Sequence, residues 1–328
     1  MQAKRVKVVL LYFLYLTNIM FIRLLTLLVL TSTFANAQER KFETNLLTDF
    51  FKITDDSQSD YPIKDIMQGC PAVDCIPAID SPIFMSASDV KFINDDDLIM
   101  AVTINKETRV YPTVTLQRHE IVNDQIGDTP FAVTYCPLCG TGVVFSRKIK
   151  GEIVTFGVSG VLHGSDLVMY DRKNHNLWQQ LTGQSFAGPD RGYQLKSIPV
   201  VMTDWKTWKK SHPNSQVLAN SKDEVADHYS KYRSSDKVMF GGVTNPRLNP
   251  KKVIYGLKVG QQAIAIDFDT IKSKKRYILK TAVAELQIQY HDDGTVEIIN
   301  NDTKEIYEHH RSYWFAWYTF NPETLLFK

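Results

Sequence analysis

Two cysteines separated by a proline and a leucine, in Cys136-Pro137-Leu138-Cys139-Gly140, are the residues of this chain whose type and spacing speak most directly of chemistry. A thiol pair so spaced can share one metal ion, or can cycle between dithiol and disulfide. The two chemistries ask for different surroundings. A nucleophilic thiol needs a helix N-terminus or a nearby cation to lower its pKa, whereas a metal knuckle needs a turn between strands, where Pro and Gly aim both sulfurs at one point. The β-rich runs Phe131–Tyr135 and Val143–Arg147 place the pair at a hairpin tip, so the leading expectation is a metal-binding protein with Cys136 and Cys139 as ligands of copper or zinc. Two other readings stay open: a thiol–disulfide oxidoreductase in which Cys136 attacks and Cys139 resolves, and a non-catalytic ligand-binding protein with a structural Cys136–Cys139 disulfide.

Rubredoxin-like and zinc-ribbon knuckles come in pairs, and no second C-x-x-C is present. Cys70 and Cys75 stand in a Pro-rich stretch with four residues between them, and read as a local disulfide. Further ligands would be His119, Met169 or His163, the last in a Gly-rich stretch expected to be a loop facing solvent. Thiolate and thioether with imidazole suit copper; two thiolates, imidazole and an oxygen suit zinc. Strand alternation sets Leu167, Met169 and Asp171 on one face and Asp166, Val168 and Tyr170 on the other, so Asp171 could orient a ligand beside Met169, unless it is spent on a turn amide with Trp178 in the core. In the third reading Trp178, Trp205, Trp208 and the run Trp314–Tyr318 would form the recognition surface. No G-x-S-x-G elbow and no H-E-x-x-H occur, and Gly157-Val158-Ser159-Gly160 lacks the ending of a phosphate loop.

The elements that must position these residues can be read from composition and punctuation. With 328 residues, 44% hydrophobic and 23% charged, the chain has globular composition; its net charge of +2, with basic residues scattered, argues against a nucleic-acid partner. The N-terminus differs. Lys4, Arg5 and Lys7 precede apolar runs that end at Ala35-Asn36-Ala37, the pattern of a secretory signal peptide over residues 1–37 cleaved near Ala37, with Met20 an alternative start. The expectation is export to the periplasm or cell envelope, with no stable membrane span in the mature chain.

Residues 38–88 read as a polar, Pro-rich leader, with regular structure beginning near Leu98. A first β-rich half is expected over 89–245, with strands at Leu98–Ile104, Phe131–Tyr135, Val143–Arg147, Ile153–Val158, Leu167–Tyr170 and Leu177–Leu181. One helix is clear, residues 204–210, capped by Thr203 or Asp204 and stopped before Pro213. A second β-rich half, 246–328, runs to the aromatic end Tyr313–Tyr318. The fold class is thus α+β, mainly β: short antiparallel strands and hairpins with few short helices. The halves look related, because a shift of 155 positions aligns Leu98 with Val253, Leu116 with Ile271, Val133 with Ile288 and Tyr135 with Tyr290. In that register Asn105-Lys106 faces Gly260-Gln261 as a hairpin turn, and the knuckle faces His291-Asp292-Asp293-Gly294, so only the first half carries cysteines at the turn.

Taken together, His119-Glu120-Ile121-Val122-Asn123-Asp124, Val133 through Gly140, Phe156 through Gly160, Ser165–Arg172, Leu177–Gly183 and Ala187-Gly188-Pro189 resemble the bacterial domain of unknown function 3179, over roughly residues 60 to 325. The resemblance implies exported or membrane-associated proteins without an assigned activity. It groups His119, Cys136, Cys139, Met169, Asp171 and Trp178 as the site, with Asp171 and Trp178 on the cofactor side. Cys70 and Cys75 depart from the family pattern, and His163 falls where that pattern has no fixed residue.

Overall fold

The computed structural model describes residues 42–219 and 227–328; the signal sequence expected over 1–37, Met20 and the first residues of the leader lie outside them. The chain divides into two units, Met1–Glu43 and Thr44–Lys328, and among the described residues every helix and strand lies in the second. That unit is mostly β, with small, mainly antiparallel sheets in a propeller-like ring, an arrangement the strand pattern alone did not specify. Among the described residues there are six short α-helices, and no helix is long and apolar enough to cross a membrane.

Within the first half, Leu98–Ile104 and Glu107–Pro112 form a hairpin whose two-residue turn puts Asn105 and Lys106 at positive φ, the geometry that matches the twist of adjoining strands. A helix, Thr113–His119, comes directly after. The same series recurs later. Val253–Val259, Gln262–Asp267 and Phe268–Lys274 have these bounds shifted by 155 (253 − 98, 262 − 107, 268 − 113). In each half the first strand also takes an antiparallel partner that leads into a helix, Val201–Asp204 into Trp205–Ser211 and His309–Tyr313 into Trp314–Phe320. The second strand of each hairpin takes a short parallel partner, Gln216–Leu218 or Leu325–Phe327.

The differences from expectation are local. Short strands Ile66–Gln68 and Phe84–Ser86 lie inside the stretch read as a leader loop; each sits at the edge of its sheet, where prolines nearby cost no ladder hydrogen bonds. The helix expected at 204–210 is Trp205–Ser211, with Asp204 accepting from Thr207 N at 2.9 Å as N-cap. The aromatic end is not a strand: Tyr313 closes one, and Trp314–Phe320 is helical, because Trp314 and Trp317, three apart, bury on one face against Ile254 and Ala265. Trp178, Trp205, Trp208, Trp314 and Trp317 are all buried, so they form core and not a recognition surface.

The strands that matter for the site are Thr129–Cys136 and Thr141–Ser146 in one sheet, and Phe156–His163, Asp166–Asp171 and Leu177–Gln179 in the next. Their facing residues, Val143, Phe145, Phe156, Leu167, Met169 and Trp178, enclose Cys136 and Cys139 in one apolar cluster that Phe315 and Ala316 complete.

Candidate functional site

The knuckle is a hairpin tip. Cys136 closes its strand opposite Thr141, with Pro137 to Gly140 in the turn. Gly140 has φ +60°, and a Cβ there would sit 2.7–2.9 Å from ring atoms of Tyr313, so both backbone conformation and space require glycine. Tyr313 also donates its backbone N–H to Cys139 O at 2.9 Å. The tip of the first half is therefore braced by the second. The counterpart turn at His291–Gly294 is braced the other way: Gly294 lies against Thr203, and Asp293 Oδ2 pairs with His212 Nε2 at 2.9 Å.

Cys136 and Cys139 are free thiols, both buried. The adjacent hairpin brings Asp166 to them, and the two sulfurs and a carboxylate oxygen all lie within 4.8 Å of one another. Ser165, held at φ 69°, turns its carbonyl toward both thiols, accepting from Cys139 Sγ at 3.3 Å and Cys136 Sγ at 3.7 Å. Asp166 Oδ2 accepts from Gln179 Nε2 at 2.6 Å and from the Leu181 N–H at 2.8 Å. Its Oδ1 meets no nitrogen or oxygen donor at hydrogen-bond geometry among the described residues, so the two thiols are the polar groups left beside it; Gln180 Oε1 is likewise unbonded, and Ser165 Oγ and Tyr232 Oη have only a loose contact with each other. Orphaned buried oxygens are costly.

Burial dominates the electrostatics. It pushes the Asp166 carboxyl up to about 6, with hydrogen bonds from Gln179, Leu181 and the two thiols pulling part of the way back. The Glu120 carboxyl rises to about 8, first through burial and then through the Asp166 charge. Both thiols are pushed up by burial, Cys139 further than Cys136. The phenols of Tyr229 and Tyr232 are raised as well, through burial and then through Glu120 for the former and the thiols for the latter. Such surroundings oppose a nucleophilic thiolate, and a strand, Thr141–Ser146, succeeds Gly140 where a redox motif would have a helix.

The other residues singled out from sequence fall elsewhere. His119 ends the helix Thr113–His119 with Nδ1 2.7 Å from Pro77 O, and is not among the three residues whose donor atoms converge. Met169 is buried in the same apolar cluster as the thiols, paired across the sheet with Val158 and Trp178. Asp171 spends its carboxylate on the chain itself: Oδ2 accepts from Trp178 Nε1 at 2.9 Å and Asn176 Nδ2 at 2.8 Å, and Oδ1 from the Asn174 N–H at 2.7 Å. His163 is no loop residue but ends a strand, half-buried, with burial pushing its imidazole down. Cys70 and Cys75 form a disulfide. Asp166 and Glu120 are the site residues that sequence reasoning passed over; the signal was a carboxylate next to Ser165 at a hairpin start, and another beside His119.

A profile of the family described as "Protein of unknown function (DUF3179)" matches residues 73–324. The chain belongs to that family. No curated protein and no solved structure matches it. The DUF3179 match takes in the knuckle, Asp166 and the bracing Tyr313, but begins after Cys70, so one half of the disulfide lies outside it.

Proposed function

We propose that this DUF3179 protein is an exported metal-binding protein that holds one zinc ion through Cys136, Cys139 and Asp166. The observation that carries the reading is the convergence of two buried thiols on a buried carboxylate whose Oδ1 meets no nitrogen or oxygen donor among the described residues. Sulfur and oxygen ligands about 2.3 and 2.0–2.2 Å from a tetrahedral zinc lie roughly 3.5–4 Å apart, so atoms already within 4.8 Å need little movement to share an ion. A divalent cation would compensate the buried carboxylate, take both sulfurs as thiolates and remove the cost of the orphaned oxygen. Two sulfurs with a carboxylate oxygen are a set that zinc accepts, whereas copper(I) favours soft sulfur ligands over a hard carboxylate oxygen. Three protein donors would leave one position of a tetrahedral zinc to a further ligand. The N-terminal pattern and the Cys70–Cys75 disulfide both fit an oxidising compartment outside the cytoplasm.

A thiol–disulfide role for the same pair is second. Asp166 beside the thiols would be its proton acceptor, but burial of both sulfurs stands against it. The deciding experiment is elemental mass spectrometry on exported protein purified without chelators, with free thiols titrated on the same sample. One equivalent of zinc is expected, with Cys136 and Cys139 protected until the metal is stripped. Cys136→Ser/Cys139→Ser protein that keeps the wild-type metal stoichiometry would refute the assignment. A metal-free protein that resists reconstitution, yet cycles a Cys136–Cys139 disulfide, would transfer the site to redox chemistry.

A further inference from the structure

A cleft of about 980 Å³ passes close to the thiol site without including any of its three donors. The leader contributes Tyr61 to its lining, the first half His163 and Leu181, and the second half Tyr307, His310 and Phe320. Leu181 and His163 connect it to the buried carboxylate, since the Leu181 N–H and the Gln179 amide both donate to Asp166, and Gln179 also holds His163.

The His163 ring is fixed in position and in tautomer. It stacks on Tyr61 with centroids 3.8 Å apart and planes at 19°. Its Nδ1 lies 3.0 Å from Gln179 Oε1. Gln179 cannot be reversed, because its Nε2 donates to Asp166 Oδ2 at 2.6 Å and reaches His163 O at 3.5 Å, and turning it round would set Oε1 against that carboxylate. Nδ1 therefore carries the ring proton of the neutral imidazole. Nε2 is left as an acceptor, bonded to none of the described residues, on a side chain that lines the cleft.

The rest of the lining selects the ligand's character. Lys196 and Lys258 offset Glu305 and Glu308, so the cleft prefers neither sign of charge. Thr182, Gln184 and Gln194 add neutral hydrogen-bonding groups, and Tyr307 and Phe320 add ring surface. A charge-balanced lining of hydroxyls and amides with aromatic rings matches a ligand that is neutral, rich in hydroxyls and apolar on its ring faces. We propose that this cleft binds a neutral oligosaccharide, one of whose hydroxyls donates to His163 Nε2. The volume is at the upper end for a small-ligand site, which calls for several sugar residues and not one.

The proposal does not depend on an ion at the thiol site, and its test reads no metal. Isothermal titration of the full exported chain would use cellohexaose, maltohexaose and chitohexaose, with glucose and N-acetylglucosamine as single-residue probes. Binding of at least one hexasaccharide is expected, with the single sugars at least tenfold weaker. His163→Ala should weaken that binding about tenfold, the effect of one lost hydrogen bond. Ile306 lines the cleft and is 65% exposed, so Ile306→Trp changes the cleft wall without disturbing the core and should shift the affinity severalfold, downward by obstruction or upward by an added ring face, with an unchanged melting curve, which keeps the test decisive if His163→Ala folds poorly. No titration signal with any of the three hexasaccharides, or an affinity left unchanged by Ile306→Trp, would overturn the proposal.

Discussion

Gly140→Ala is the sharpest probe of how the knuckle is held. Two costs combine at this position. A non-glycine residue at φ +60° carries a backbone cost of about 1–2 kcal/mol. The new Cβ would also meet Tyr313 ring atoms at 2.7–2.9 Å, and that ring cannot simply swing away, because it is buried in the cluster packed around the thiols. Forced overpacking of this kind costs about 1–3 kcal/mol. Gly127 supplies the control: its φ is +54° and nothing lies within 4 Å of a Cβ there. Gly127→Ala should therefore show the backbone cost alone, and Gly140→Ala should exceed it by about 1–3 kcal/mol in urea unfolding. If the proposed metal centre depends on the brace, Gly140→Ala also lowers bound metal while Gly127→Ala does not. Equal destabilisation by the two substitutions would refute the claim that Tyr313 is seated on the knuckle.

The buried carboxyls and the disulfide lead to further outcomes. Asp166 stands at about 6 against an ordinary 3.8, so the folded metal-free protein keeps a proton that the unfolded chain has released; its stability should fall as pH rises from about 4 to about 6, by up to about 3 kcal/mol from this group. Glu120, raised from 4.5 to about 8, extends the same downward trend to higher pH. Asp166→Asn should flatten the lower part of that profile, measured by urea unfolding of the metal-free protein, and a slope unchanged by the substitution would show that Asp166 is not the titrating group. Cys70→Ser/Cys75→Ser removes a disulfide that closes a short loop, and should cost about 2 kcal/mol while leaving metal stoichiometry intact; metal loss in that variant would tie the disulfide to the site.

What the sequence made legible was mostly local. The hairpin tip at Cys136–Gly140 could be read because strand-forming runs flank a Pro and a Gly, and turn chemistry is decided within a few residues. A gapless shift of 155 positions, chosen from apolar pattern alone, carries three consecutive elements onto three others, including the helices Thr113–His119 and Phe268–Lys274 that no local signal had marked. Those helices escaped notice because Thr, Val and Phe disfavour helix in isolation, and packing against a sheet overrides a propensity of a few tenths of a kcal/mol. The third converging donor was missed for a different reason. Strand alternation put Asp166 on the face away from Met169, but it starts its strand next to a residue at positive φ, where alternation no longer says where a side chain lies. Asp171 drew attention for its place beside Met169, yet its oxygens are taken by Trp178, Asn176 and Asn174.

The brace on Cys139 comes from a residue 174 positions later (313 − 139), and this bears on how the protein is made. Contacts of such separation form late in folding, because the loop between them must close first. During synthesis the two thiols leave the ribosome long before the strand His309–Tyr313 exists to seal them. An ion or an oxidant that reached Cys136 and Cys139 before the strand His309–Tyr313 docks would meet them as an open hairpin, and the docking of that strand would then close over the outcome.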